Sequence, residues 1–348
     1  MDWRKTGAAL LAVVVVATMG APPAMAQGPM AAAAPAASFD GLKVFMCGTS
    51  GPLPVRDRAK ACVAIQAGGD LYLVDVGPES TENIQAWRLP IATAKAVFLT
   101  HLHSDHIGEV GEFNMQSWVA GRPAPLVLVG PTGTDKVAAG FNEAYSQDHI
   151  FRNAHHEHGE VKLPIAASLL KPQVVTPPAS GTAVVWKKDG LTVTAIVVHH
   201  NPVTPAYAYR FDYKGRSVVV SGDTTKWPPL ATASKGADVL IHEAQNAQMT
   251  GMMVQGLKTM GNPRMASVMA DTVSYHTTPV EAADIARMAG VKRLVLYHIT
   301  QAGLPFYNPD TFTKGMNDGG PLDWRISKDG MTIELPAGGT DIKFGQMP

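Results

Sequence analysis

Thr100-His101-Leu102-His103-Ser104-Asp105-His106-Ile107-Gly108 is the stretch on which the reading of this chain turns. It follows the apolar run Val97-Phe98-Leu99 directly, so three imidazoles and a carboxylate stand together where a strand ends and a helix begins. Alternate positions of an extended segment share a side, which lets His101 and His103 converge on one metal ion. The turn that follows brings Asp105 and His106 round to a second. Mixed nitrogen and oxygen donors of this kind suit zinc or a similar divalent ion. Polar residues gathered by chance on a surface turn would not need the apolar strand that leads into them.

On either side of this stretch the chain alternates between two kinds of segment. Short β-rich runs at 42–47, 61–66 and 71–76 are separated by Gly, Pro and Asp clusters and read as a strand meander. Further strand-like runs at 96–100, 126–129, 191–198, 206–211 and 217–221 alternate with helical spacing at 108–120 and 134–146. The runs 239–242 and 294–298 flank an Ala-rich helix over 280–289, and 322–327 and 331–335 close the chain as strands. The order predicts an α/β fold, an αββα sandwich with sheets inside and helices outside.

Two stretches stand apart from this pattern. Residues 148–171 hold His149, His155, His156 and His158 without periodicity and read as a loop inserted over a site. Residues 245–270 hold Met249, Met252, Met253, Met260, Met265 and Met269 and read as a flexible helical cover whose methionines fill gaps.

Arg4 and Lys5, the apolar stretch from Ala8 to Met19 and the small-x-small site Ala24-Met25-Ala26 read as an export signal over 1–26. An Ala/Pro-rich leader over 27–38 follows, and a single folded domain spans 39–348. The mature protein is therefore expected to be periplasmic or secreted, with no membrane attachment once the signal is cleaved. Formal net charge is zero, from 29 basic and 29 acidic residues, so no overall field would gather a polyanion. This argues against a nucleic-acid partner and for a small-molecule substrate; a homodimer stays open. Cys47 and Cys62 read as two small buried residues on neighbouring strands, and an oxidising compartment leaves a single disulfide between them open.

The H-x-H-x-D-H motif in this setting resembles the metallo-β-lactamase superfamily, in the branch of ribonuclease Z and arylsulfatase-like phosphodiesterases. The resemblance runs from about Leu42 to Leu335. It implies a dinuclear site, with His101, His103 and His200 on one ion, Asp105, His106 and His298 on the other, and Asp223 between them. His200 is taken over its neighbour His199 from the spacing to Tyr209-Arg210. Asp223 comes from the Ser221-Gly222-Asp223-Thr224 turn, and His298 from the end of Leu294-Val295-Leu296-Tyr297. Asp75 resembles the family's buried aspartate that orients the ligand histidines.

Ile241-His242-Glu243-Ala244 and Tyr275-His276-Thr277-Thr278-Pro279 resemble two further segments of ribonuclease Z, in which the glutamate holds the histidine beside the scissile group. Asp105, His276 and Glu243 are thus the implied catalytic side chains, and His242 reads as structural. The implied cofactors are two divalent ions, zinc by default, with manganese or iron as alternatives. The implied activity is hydrolysis of a phosphodiester, phosphomonoester or aryl sulfate by a bridging hydroxide. The chain lacks the Pro-x-Lys-x-Arg-Asn loop and the basic arm of the tRNA-processing enzymes. A lactonase of the same fold is the alternative activity, and a noncatalytic metal-binding relative is the alternative outside enzymes.

Overall fold

The apolar runs become strands, and with those at Leu170–Val174, Thr182–Lys188 and Lys343–Gln346 fifteen strands form in all, in a computed structural model that describes residues 39–178 and 181–348. The expected export signal and leader lie outside the described residues. In chain order the strands are β1 (Gly41–Gly48), β2 (Cys62–Ala67), β3 (Asp70–Val74), β4 (Ala94–Phe98), β5 (Leu126–Gly130), β6 (Leu170–Val174), β7 (Thr182–Lys188) and β8 (Leu191–His200). They continue with β9 (Val203–Tyr213), β10 (Arg216–Val220), β11 (Val239–Glu243), β12 (Arg293–Tyr297), β13 (Trp324–Ile326), β14 (Met331–Pro336) and β15 (Lys343–Gln346).

One sheet has the order β15-β14-β1-β2-β3-β4-β5-β6 and the other β13-β12-β11-β10-β9-β8-β7. The pairs β3–β4 and β4–β5 are parallel in the first, and β10–β11 and β11–β12 in the second. Parallel strands are covered on both faces and so read as continuous apolar runs, as Val218-Val219-Val220 and Leu294-Val295-Leu296 do. Val44, Phe98, Tyr209, Val220 and Val295 fill the space between the sheets. Ala282 and Ile285 of the helix Pro279–Ala289 pack in one cluster with Leu296 on one outer face, and Phe113 of the helix Val110–Val119 packs with Val97 and Leu128 on the other. This is the αββα layering expected from the sequence.

Local chemistry explains where the helix Pro279–Ala289 starts and stops. Thr278 caps it in a reciprocal box with Glu281, Pro279 stands at the first turn, and Gly290 ends it at φ 63°.

Two expectations need correction, and a third holds in part. Cys47 and Cys62 are buried on neighbouring strands, but they are joined as a disulfide, Cα atoms 5.0 Å apart, where the β1–β2 register shifts between Met46 and Gly48. The His-rich segment is not a loop: most of its first half is the helix Ser146–His156, held by buried His149 against Trp118, ring centroids 5.2 Å apart. None of its histidines joins a converging ligand group among the described residues. In the Met-rich segment, two helices form, Ala247–Thr259 and Pro263–Thr272; Met249 and Met269 are buried as gap-fillers, whereas Met252, Met260 and Met265 are exposed. No helix among the described residues is long and apolar enough to cross a membrane.

Candidate metal centre

Strand ends place the site. Asp75 follows β3, the His101–His106 motif follows β4, His200 ends β8, Asp223 follows β10, Glu243 ends β11 and His298 follows β12. Ligands in layered α/β sheets gather outside the carboxyl ends of strands in this way. The two sheets are tied there by Tyr207 N donating to Thr100 O and Tyr209 Oη donating to Leu99 O, at 2.9 and 2.8 Å.

Asp75 and His298 both adopt left-handed backbone, φ 59° and 53°. Such residues cost on the order of 1–3 kcal/mol and persist where the surroundings over-determine them. At Asp75 the surroundings are visible: its carboxylate accepts from Thr100 N and Thr100 Oγ1 and pairs with His106 Nδ1, each at 2.8 Å. Gly222, φ 59°, needs to be glycine, since a Cβ there would stand 2.6 Å from Tyr207 O and 2.8 Å from Thr100 Cβ. The tight turn aims the next residue, Asp223, inward.

Three overlapping groups of donors result. His101, His103 and His200 converge with Asp223, Asp105, His106 and His298 converge beside them, and Asp223, His276 and His298 form a third that overlaps both. In the first, His101 Nε2 is 2.9 Å from His103 Nδ1, and Asp223 Oδ2 is 3.9 Å from both His101 Nε2 and His200 Nε2. In the second, Asp105 Oδ2 is 3.2 Å from His298 Nε2 and 3.7 Å from His106 Nε2. Asp223 reaches this group too, at 3.5 Å from His106 Nε2 through Oδ2 and from His298 Nε2 through Oδ1. Every side chain of these first two groups is buried except His103, which stands at the open side.

The donors fit divalent cations. Ligand atoms about 2.0–2.1 Å from a tetrahedral ion lie roughly 3.3–3.4 Å from one another, the spacing seen here. His106 Nε2, His200 Nε2 and Asp223 Oδ1 are buried with no hydrogen-bond partner, although buried polar atoms are almost always paired. His200 Nδ1 faces Tyr275 O at 2.9 Å; a carbonyl can only accept, so Nδ1 carries the hydrogen and Nε2 presents a lone pair.

Charge agrees with geometry. Burial holds the His101 and His200 rings below the ordinary imidazole range, leaving neutral donors. Burial pushes Asp105 up, but His106 and the hydrogen bond from His298 outweigh it and bring the carboxyl to about 2. Asp223 is driven the same way by His298 and His106, well below the carboxylate range. In His106 burial is outweighed by Asp223, Asp75 and Asp105, so its proton is held tightly. The cluster is a buried nest of anions among imidazoles, which cations relieve.

Beside it, His276 Nδ1 meets Glu243 Oε1 at 3.0 Å, and the ring stacks on His298 with centroids 5.7 Å apart. Glu243 is wholly buried, and the same oxygen accepts from Thr224 N and Thr277 N at 3.1 and 3.2 Å. Burial pushes His276 down, yet the Glu243 charge and hydrogen bond outweigh it and hold the ring up at about 9. Thr278 does the helix capping, which leaves His276 free of that role.

His199 turns away from the cluster, bonding Thr225 Oγ1 at 3.1 Å and stacking on Trp227, and His242 bonds back to Glu243 O at 2.8 Å. Sequence reasoning gave no role to Thr100, which links Asp75 to His101 through Oγ1, or to the Tyr275 carbonyl. Thr100 could have been found from its place at the head of the motif. A backbone carbonyl has no residue signature.

The beta-lactamase superfamily domain matches residues 71–299. A protein named Ribonuclease Z from Mycobacterium bovis (strain BCG / Pasteur 1173P2) is 34% identical over 264 residues, 75% of this chain and 87% of that protein. The solved metallo-beta-lactamase fold protein YhfI from Bacillus subtilis has a TM-score of 0.60 at 22% identity, covering 85% of this chain and 100% of its own. Human tRNase Z, short form, has a TM-score of 0.57 at 19% identity, covering 84% and 99%. At those identities the structural likeness is one of fold. The chain belongs to the beta-lactamase superfamily, in its metallo-β-lactamase fold, with ribonuclease Z proteins among its homologues.

Proposed function

We propose that this protein is a dinuclear metal-dependent hydrolase that cleaves a phosphodiester, a phosphomonoester or an aryl sulfate. The observation that carries the reading is the His276–Glu243 pair standing against two donor groups that share Asp223. A carboxylate-held imidazole supplies a hydrogen-bond donor beyond the metals, and a tetrahedral phosphoryl or sulfuryl group has an oxygen left for it.

His101, His103 and His200 would hold one ion and Asp105, His106 and His298 the other, with Asp223 contributing to both. Bound divalent ions supply a hydroxide nucleophile at neutral pH and positive charge for developing anions. The nitrogen and oxygen donors suit zinc first, and manganese or iron as well. Asp75 holds the His106 ring by Nδ1 and so turns Nε2 inward, as Tyr275 O does for His200. Glu243 holds His276 by Nδ1, which leaves Nε2–H to donate to a non-bridging oxygen or to deliver its proton to the leaving oxygen.

We place the mature protein outside the cytoplasm. The export signal read in 1–26 and the Cys47–Cys62 disulfide support this together, because disulfides persist in oxidising compartments. A small ester is the substrate of this reading, and zero net charge speaks against the polyanion implied by its relatives' name.

A panel of p-nitrophenyl phosphodiester, phosphomonoester, sulfate and lactone substrates on zinc- or manganese-reconstituted protein tests the reading. Turnover at phosphorus or sulfur that a chelator abolishes is expected. Turnover of the lactone alone would overturn it.

A further inference from the structure

We propose that the groove lined on one side by the helices Ala247–Thr259 and Pro263–Thr272 and on the other by residues 53–54, 300 and 303–306 receives an uncharged hydrocarbon group of the substrate, so that the ester cleaved is one carrying an alkyl chain. The naming of an ester rests on the hydrolase reading above; the apolar site does not.

The groove encloses about 430 Å³, within the range of small-molecule sites. Methionine, leucine, proline and phenylalanine dominate its lining, and none of the lining residues is charged. Met252 is 52% exposed and Met260 74%, so apolar surface lies open there without a protein partner. Unbranched, polarisable methionine side chains adapt to flexible chains of differing length.

The groove also adjoins the metal centre. Thr300 lines it, is buried, and has no hydrogen-bond partner for its Oγ1. A Cβ added to Gly51 would stand 2.9 Å from Thr300 Oγ1 and 2.9 Å from His298 Cε1, so a lining residue of the groove and a residue of the centre flank the same glycine. The helical pair that forms the wall is joined to the centre at both ends. It starts just after Glu243 and ends just before Tyr275, whose carbonyl holds His200. Gln245 N donates to Thr277 O at 2.8 Å, closing the base of the insertion. An ester whose reacting group lies at His276 and His298 therefore has this apolar wall as its neighbour.

The test uses metal-reconstituted mature protein with methyl, butyl and octyl 4-nitrophenyl phosphate diesters. The ratio of octyl to methyl kcat/KM is expected to rise, approaching about fourfold per fully buried methylene. Replacing Met252→Gln together with Met260→Gln should bring the ratio down severalfold. Met288→Gln, an equally exposed methionine on the helix Pro279–Ala289, should leave the ratio as it is. A flat chain-length series, or the same ratio in the double variant, would overturn the proposal while leaving hydrolysis itself established.

Binding of the uncharged probe N-phenyl-1-naphthylamine, displaced by 1-octanol, gives a readout without turnover. Binding weakened severalfold in the double variant alone supports the groove even where no ester is cleaved, in which case the hydrolase reading fails by itself. Probe binding unchanged by the double variant contradicts the proposal. So does probe binding that is lost as dimers form at rising protein concentration, which would give the groove to a second copy.

Discussion

The candidate metal centre and the methionine groove come near one another at Gly51, flanked by His298 and Thr300, yet they are built in opposite ways. The centre hangs from the ends of six strands in two sheets, with buried donors, left-handed backbone at Asp75 and His298, and rings fixed by Thr100, Asp75, Tyr275 and Glu243. The groove is walled in part by two helices along which Met252, Met260 and Met265 stand exposed. Chemistry demands donors held to a few tenths of an ångström, and strand ends locked by hydrogen bonds supply that; choice among substrates tolerates softer walls. Changes in the first region should therefore cost rate and metal, and changes in the second should shift selectivity.

Asp223→Ala offers the sharpest way to break that division. It removes the carboxylate shared by both donor groups, and a loss of about 4 kcal/mol or more, on the order of 10³-fold in turnover, is expected along with loss of metal. Turnover and metal content measured on the same preparation check this. His276→Ala comes next: metals stay, and turnover on the best phosphodiester or sulfate falls on the order of 10²–10³-fold. Near-normal turnover would remove His276 from the chemistry. Glu243→Gln should fall less in the same direction, because it acts through His276. Asp75→Asn should weaken metal binding roughly 10–100-fold by loosening His106, as read from a competition with a chelating dye.

The motif 101–106 was legible because its ligands are neighbours in the chain and an apolar strand precedes them. His200 over His199, Asp223 and His298 needed the resemblance to a family as well as strand alternation, since each is a single polar residue far along the chain. Other features left no pattern to read. The edge strand β6 exposes most of its residues and contains Pro172, so neither alternation nor an apolar run marks it. The helix Ser146–His156 buries only His149, so it lacks the apolar stripe by which helices are recognised. The pairing of Cys47 with Cys62 depends on a register shift between β1 and β2, which no local residue announces.

That disulfide gives the smallest effect on activity and tests the frame beneath both regions. Replacing both cysteines by alanine should cost about 3 kcal/mol of stability, as expected for a loop of 15 residues, seen as a lowered urea midpoint with kcat little changed.

Elemental analysis of the mature protein, reconstituted with zinc and freed of excess by gel filtration, is the most direct test of the two-ion centre. About two ions per chain are expected from two donor groups sharing Asp223. One ion per chain, or none, after zinc and manganese have both been supplied would contradict the account.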